Sequence, residues 1–137
     1  GTKEYEDFRL LIRSKVAEAS KDERIKISIL GLKYHMEDYL ELNSKIIEVG
    51  SFIKQFIKLI ETKQVDFAKY LGLRPSNLSK ILNGERRLTI EFALILERLS
   101  NIDVGLWLKI QNKNEIHRMK KSHSKHINKF RLKELLG

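Results

Sequence analysis

The sequence predicts an all-α protein, and three observations predict it. One proline and seven glycines among 137 residues leave few points at which a helix must stop. Apolar residues recur mostly at steps of three and four, the period of a helix face rather than of a strand. Lys63 to Gly84, KQVDFAKYLGLRPSNLSKILNG, reads as two short helices joined by a tight turn.

The elements follow in chain order. A first helix is expected from about Glu4 to Ala19, with Tyr5, Phe8, Ile12, Val16 and Ala19 on one side. Ser20 and Glu23 form a possible capping box, S-x-x-E, opening a second helix. Along that helix Ile25, Ile29, Leu32, Met36, Tyr39 and Leu40 recur at helical steps. Ile25, Ile27 and Ile29 also alternate as in a short strand, but the helical period continues for several turns and is preferred. Asn43 and Ser44 are expected to break the chain, and Gly50 to open a domain. Phe52, Ile53, Phe56, Ile57 and Ile60 give that domain's first helix its apolar stripe. The two helices of the motif come next. Thr89 can cap a fourth helix from about Ile90 to Leu99, and Asp103 a fifth through about Gln111. No internal repeat interrupts this order.

The motif carries its own packing logic. Ala68 is small where two helices approach closely, and Gly72 sits at the turn, where a left-handed backbone is favoured. Leu73 plugs the turn, and Pro75 falls at a first helical position, where its missing N–H costs nothing. Leu71, Leu78, Ile81 and Leu82 supply the buried side, and Gly84 closes the unit. That leaves Ser76, Asn77, Ser79 and Lys80 on the outer face of the second helix, a surface suited to DNA's major groove. Gln64 can donate its amide to a phosphate oxygen. Asn77 is the best base reader, since an amide pairs bidentately with adenine; Ser76 can donate or accept. Lys80 can reach guanine but more often meets phosphate. Asn83, Arg86 and Arg87 follow the helix and can clamp the far side of the groove. One such helix contacts few base pairs, so a dimer reading half-sites about one helical turn apart is expected.

The chain from about Gly50 to Gln111 resembles a helix-turn-helix domain of the lambda-repressor/Cro (XRE) type, which implies a five-helix fold preceded here by an N-terminal helical pair. Within that group, LNGERRLTIEFALILERLSNIDVGLWLKIQ is similar to the ending of HigA/VapI antitoxins. Gly84, Arg86, Leu88 and Thr89 match their G-x-R-x-L-T segment, and Trp107, Leu108 and Gln111 their W-L-x-x-Q helix. The resemblance implies a phosphate contact for Gln64. Two positions depart from the family pattern. Lys63 and Arg74 stand where Ser or Thr usually caps the two motif helices, although Thr62 can serve one residue earlier. Arg74 would weaken its cap by roughly 1 kcal/mol while adding a phosphate contact.

Charge sharpens the division. Residues 1–49 form an N-terminal extension for dimerisation or toxin contact, residues 50–111 the DNA-binding domain, and residues 112–137 a basic tail, partly flexible. The first 50 residues hold 9 Lys/Arg against 10 Asp/Glu, residues 51–111 hold 10 against 6, and residues 112–137 hold 8 against 2. Basic charge favours polyanions in general, and the motif selects DNA among them. The tail is expected to be mobile and to order on a partner or on DNA, with Ile127, Phe130 and Leu135 able to form one short amphipathic helix.

Several functions are excluded. No cysteine is present, which removes disulfides, thiolate zinc sites and thiol catalysis and suits a reducing cytoplasm. No apolar run approaches the roughly 20 residues of a membrane span, no signal peptide is visible, and Gly1 reads as an expression remnant. No phosphate loop, H-E-x-x-H or G-x-S-x-G is present, so neither an enzyme nor a cofactor is expected. His117, His123 and His126 lack acidic companions at ligand spacing, and no metal site is expected. Trp107 reads as a core or interface aromatic, and Gln111 as a helix-end or interface group.

Together the residues and the resemblance imply a cytoplasmic, dimeric repressor of an operator in double-stranded DNA. The family further implies an antitoxin that neutralises a small basic ribonuclease toxin. A stand-alone XRE regulator and a protein–protein adaptor reusing the fold are the competing functions. Residues 1–49 either contact such a partner or pad the domain's core.

Overall fold

The computed structural model describes residues 2–42 and 45–137. The expected break at Asn43 and Ser44 lies outside the described residues, as do Gly1 and the side chains of Ile12, Val16 and Ala19. Every described element is helical: α1 Thr2–Glu41, α2 Val49–Leu59, α3 Gln64–Tyr70, α4 Pro75–Leu82, α5 Ile90–Ser100, α6 Val104–Ser122, α7 Ser124–Ile127 and α8 Leu132–Leu136. Helices α2 to α6 make the five-helix, lambda-repressor-like arrangement, and no strand forms at Ile25–Ile29.

The expected N-terminal pair is one continuous helix of 40 residues, about 60 Å long. The S-x-x-E at Ser20 and Glu23 does not open a second helix. A cap requires an extended backbone at its first residue, and the flanking Ala, Lys, Glu and Arg all favour continuing. Arg24 Nε instead donates to the Ser20 carbonyl one turn back (3.3 Å). Only the later part of α1 joins the core. Leu32, Met36 and Tyr39 are buried, Ile29 and Leu40 pack beside them, and Phe52 of α2 meets the Tyr39 and His35 rings at 5.8 and 5.2 Å. Tyr5 and Phe8 are exposed.

The core beneath the motif is built by α2, α5 and α6. Phe52, Ile53, Phe56 and Ile57 are buried as the stripe predicts, with Ile60 packed at the edge. Gly50 lies in the first turn of α2, where a Cβ would come 2.1 Å from the Leu82 carbonyl oxygen. Only glycine lets the two backbones meet there. Thr89 accepts from the Phe92 N–H (3.1 Å) and Asp103 from the Gly105 N–H (2.9 Å), the two expected caps. Trp107 is fully buried, a core aromatic as expected.

Two expectations about the end of the domain are corrected. Helix α6 does not stop near Gln111 but runs to Ser122, so residues 112–122 continue the helix of the domain. Gln111 is no interface group. It is buried, and its amide both accepts from the Leu88 N–H (2.7 Å) and donates to the Leu88 carbonyl (2.9 Å). A primary amide satisfies both backbone groups of one residue in this way, which pins the segment after α4 to α6. Asn114, one turn on, is also buried. It accepts from the Tyr39 hydroxyl and donates to the Ile47 carbonyl (2.8 Å), while the Ile47 N–H donates to that same hydroxyl (3.0 Å). This closed network ties α1 to α6. Lys113 completes it, bonding the Tyr39 and Leu42 carbonyls at the end of α1 with its ammonium 4.3 Å from the Tyr39 ring centre. At the far end the single expected helix is instead α7 and α8, and neither buries a residue.

Candidate nucleic-acid interface

The motif forms as its residues dictate. Helix α3 ends with Gly72 at φ +72°, the Leu73 N–H bonding back to the Ala68 carbonyl (2.9 Å) and the Gly72 N–H to Lys69 (3.1 Å). Helix α4 ends likewise, with Gly84 at φ +80°, Glu85 bonding to Lys80 (2.8 Å) and Gly84 to Ile81 (3.2 Å). These are paired 6→1 and 5→2 bonds with a left-handed residue between helix and exit, an arrangement that costs a side chain about 1–2 kcal/mol and glycine almost nothing. Pro75 opens α4 at its first position, and Leu78, Ile81 and Leu82 bury its inner side against Phe67, Ala68 and α2. The outer side is thereby fixed as the polar one.

Caps on both motif helices are incomplete. Neither Lys63 nor Arg74 makes a side-chain cap bond, and Thr62 does not substitute, since its hydroxyl donates back to the Ile60 carbonyl (3.4 Å). In the first turn of α4 only the Ser76 N–H is left to another partner, since Pro75 has none and those of Asn77 and Leu78 bond the Arg74 carbonyl (3.0 and 3.1 Å).

The sequence-selected residues divide into two groups. Gln64, Arg74, Ser76 and Lys80 are exposed and make no side-chain hydrogen bond within the described residues. The others are already joined. Arg86 Nη1 donates to Asn77 Oδ1 (3.1 Å), and Asn83 Nδ2 to Ser79 Oγ (3.3 Å). Arginine has donors only, so the Asn77 oxygen must face Arg86 and its –NH₂ must face away. Asn77 thus presents donors on its open side, with its acceptor shared. Arg87 turns away from α4 to pair with Glu115 of α6 (2.8 Å). Both partners are solvated, and such a pair is worth at most about 1 kcal/mol, little against a competing phosphate.

One residue that sequence reading missed belongs to this surface. Lys54 of α2 donates to Asn83 Oδ1 (3.0 Å) from 29 positions away. It stands opposite the apolar stripe of α2, yet periodicity alone does not say which outward residue neighbours the motif. With Arg74, Lys80 and Arg86 it leaves the face around α4 rich in cations carried on short, fixed elements.

Among the described residues no group of three or more His, Asp or Glu side chains is placed to hold a metal, and no helix is long and apolar enough to cross a membrane. A groove of about 640 Å³ lies between α1 and α2, away from the motif.

Residues 53–107 match the helix-turn-helix family model, 55 of the 137 residues, from the stripe of α2 to Trp107. No curated protein and no solved structure matches the chain. The matched segment holds all of α3, α4 and α5, and the family it matches is one of DNA-binding regulatory domains. Residues 53–107 are therefore similar to an XRE-type helix-turn-helix module, a kind that binds DNA in transcription regulators, and they stand between a long N-terminal helix and a basic C-terminal extension.

Proposed function

We propose that the protein is a sequence-specific transcriptional repressor that binds its operator as a cytoplasmic homodimer. One observation carries this reading: α4 packs its own Leu78 inward and is backed by Gly50 and Ala68, while Ser76, Asn77 and Lys80 face outward beside Arg86. A rigid helix displaying short polar and basic groups fits the major groove, and Gln64 and Arg74 flank it as phosphate contacts. Asn77 serves as the base reader, its outward amide donors meeting acceptors on a base edge. Ser79, Asn83 and Arg87 support the helix and its exit, with Arg87 free to exchange Glu115 for a phosphate.

The finer reading is an antitoxin that also neutralises a small basic ribonuclease. Its support is the run from Gly84 to Gln111, whose likeness to HigA/VapI endings covers the loop that Gln111 pins. The exposed tip of α1, with Tyr5 and Phe8, is the surface available for such a partner or for the second protomer.

A gel-shift assay with DNA from upstream of the gene tests the first reading. Asn77→Ala is expected to cost about 1–3 kcal/mol of binding at one base position per half-site. Gln64→Ala should weaken all sequences alike. Unchanged affinity in both variants would remove α4 as the reading helix. Co-expression with the neighbouring gene product tests the second, and a stand-alone regulator would show no rescue from toxicity.

A further inference from the structure

We propose that the chain beyond Arg118 is a basic arm that lies along the DNA phosphates flanking the site read by α4. The inference rests on the DNA-reading function proposed above and extends its surface past the motif.

Two independent observations support it. The first is position. Helix α6 crosses the exit of α4: Glu115 pairs with Arg87, Arg118 pairs with Glu48, and the Glu48 carboxylate carbon lies 3.6 Å from where a Gly84 Cβ would be. Gly84 is the second residue past the end of α4, so α6 leaves the domain beside the helix that enters the groove. The second is charge. From His117 to Lys133 the sequence holds seven Lys/Arg and no Asp or Glu, and every one of these residues is exposed. Within that run no carboxylate relieves the repulsion, and α7 and α8 bury nothing against the domain. A run of one sign starting at the edge of a nucleic-acid interface is complementary to the phosphate chain that continues past that edge. It carries no groups arranged to read bases, so its contribution is uniform across sequences.

The test uses the full chain. A duplex is selected from a randomised pool by the wild-type protein, and binding is followed by fluorescence anisotropy across a KCl series. A variant with Lys120→Gln, Lys121→Gln, Lys125→Gln and Lys129→Gln should give a shallower dependence of log K on log salt, by roughly 0.9 for each phosphate no longer neutralised and about two to four in all. Base preference within the half-site should not change, and hydroxyl-radical protection should disappear only in the flanks. The same four positions changed to Arg keep the charge and should keep the wild-type slope, and circular dichroism should show the same helix content in both variants. An unchanged slope and footprint in the Gln variant would overturn the arm while leaving the motif's role intact. Loss of binding to single-stranded RNA or to anionic vesicles, with duplex binding untouched, would overturn it too. A wild-type protein that selects no sequence at all would instead bring down the DNA-reading function itself.

Discussion

The two halves of α1 share one helix and one kind of apolar spacing, yet they meet opposite fates. Met36 is fully buried, whereas Phe8 keeps 60% of its surface. The later half lies against α2 and α6, where Tyr39 reaches both Phe52 and Asn114. An ion pair from Lys21 to Glu61 (3.3 Å) joins α1 to the end of α2, and Thr2 lies about 30 Å further out along the helix axis. Amphipathic spacing therefore announces that a helix has a face to bury but not which surface will bury it. In the later half the domain supplies that surface; at the tip, the described chain supplies none.

That contrast can be broken or sharpened by mutation. The largest effect is expected for Met36→Ala, which opens a cavity in a closed core and should lower unfolding free energy by about 2–5 kcal/mol in urea titrations. A loss under about 1 kcal/mol would mean that the later half is an appendage as well. Tyr39→Phe comes next. It removes the hydroxyl shared by Asn114 and Ile47, leaving the buried Asn114 oxygen and the half-buried Ile47 N–H without it, and should cost about 1–3 kcal/mol. Thr89→Ala, at a cap outside both halves, gives a yardstick of about 1 kcal/mol. Phe8→Ala should sit at the bottom, within about 0.5 kcal/mol of wild type at low protein concentration. A larger loss that grows with protein concentration would show that the tip packs against another chain.

The motif was legible in the sequence because its logic is local. Gly72, Pro75 and Gly84 fix two helices within 22 residues, and the caps at Thr89 and Asp103 lie within three residues of the N–H groups they serve. Three features escaped for one physical reason, that they depend on partners far along the chain. Asn114 bonds Tyr39 from 75 positions away, Gln111 bonds Leu88 from 23, and Lys54 bonds Asn83 from 29. Buried amides on an otherwise polar helix look like solvent-facing groups until their backbone partners are placed. For that reason α6 was expected to end near Gln111. The S-x-x-E at Ser20 misled in the opposite direction, since the same four residues are compatible with a helix start and with a helix interior.

At the candidate interface, the identities of the outward residues were readable and their pairings were not. Arg86 and Asn77 are nine positions apart on either side of a turn, and only the left-handed step at Gly84 brings the guanidinium back over α4. That pairing changes what Asn77 presents outward, from a donor–acceptor pair to a face dominated by donors.

The central claim is that α4 enters the groove with its outer face. An amide chemical-shift titration of the full chain with the selected duplex addresses it most directly. The largest changes are expected at 64–66, 75–80 and 83–87, with α5 and the buried stripe of α2 nearly unmoved. Changes concentrated on the tip of α1, with residues 75–80 silent, would contradict the account.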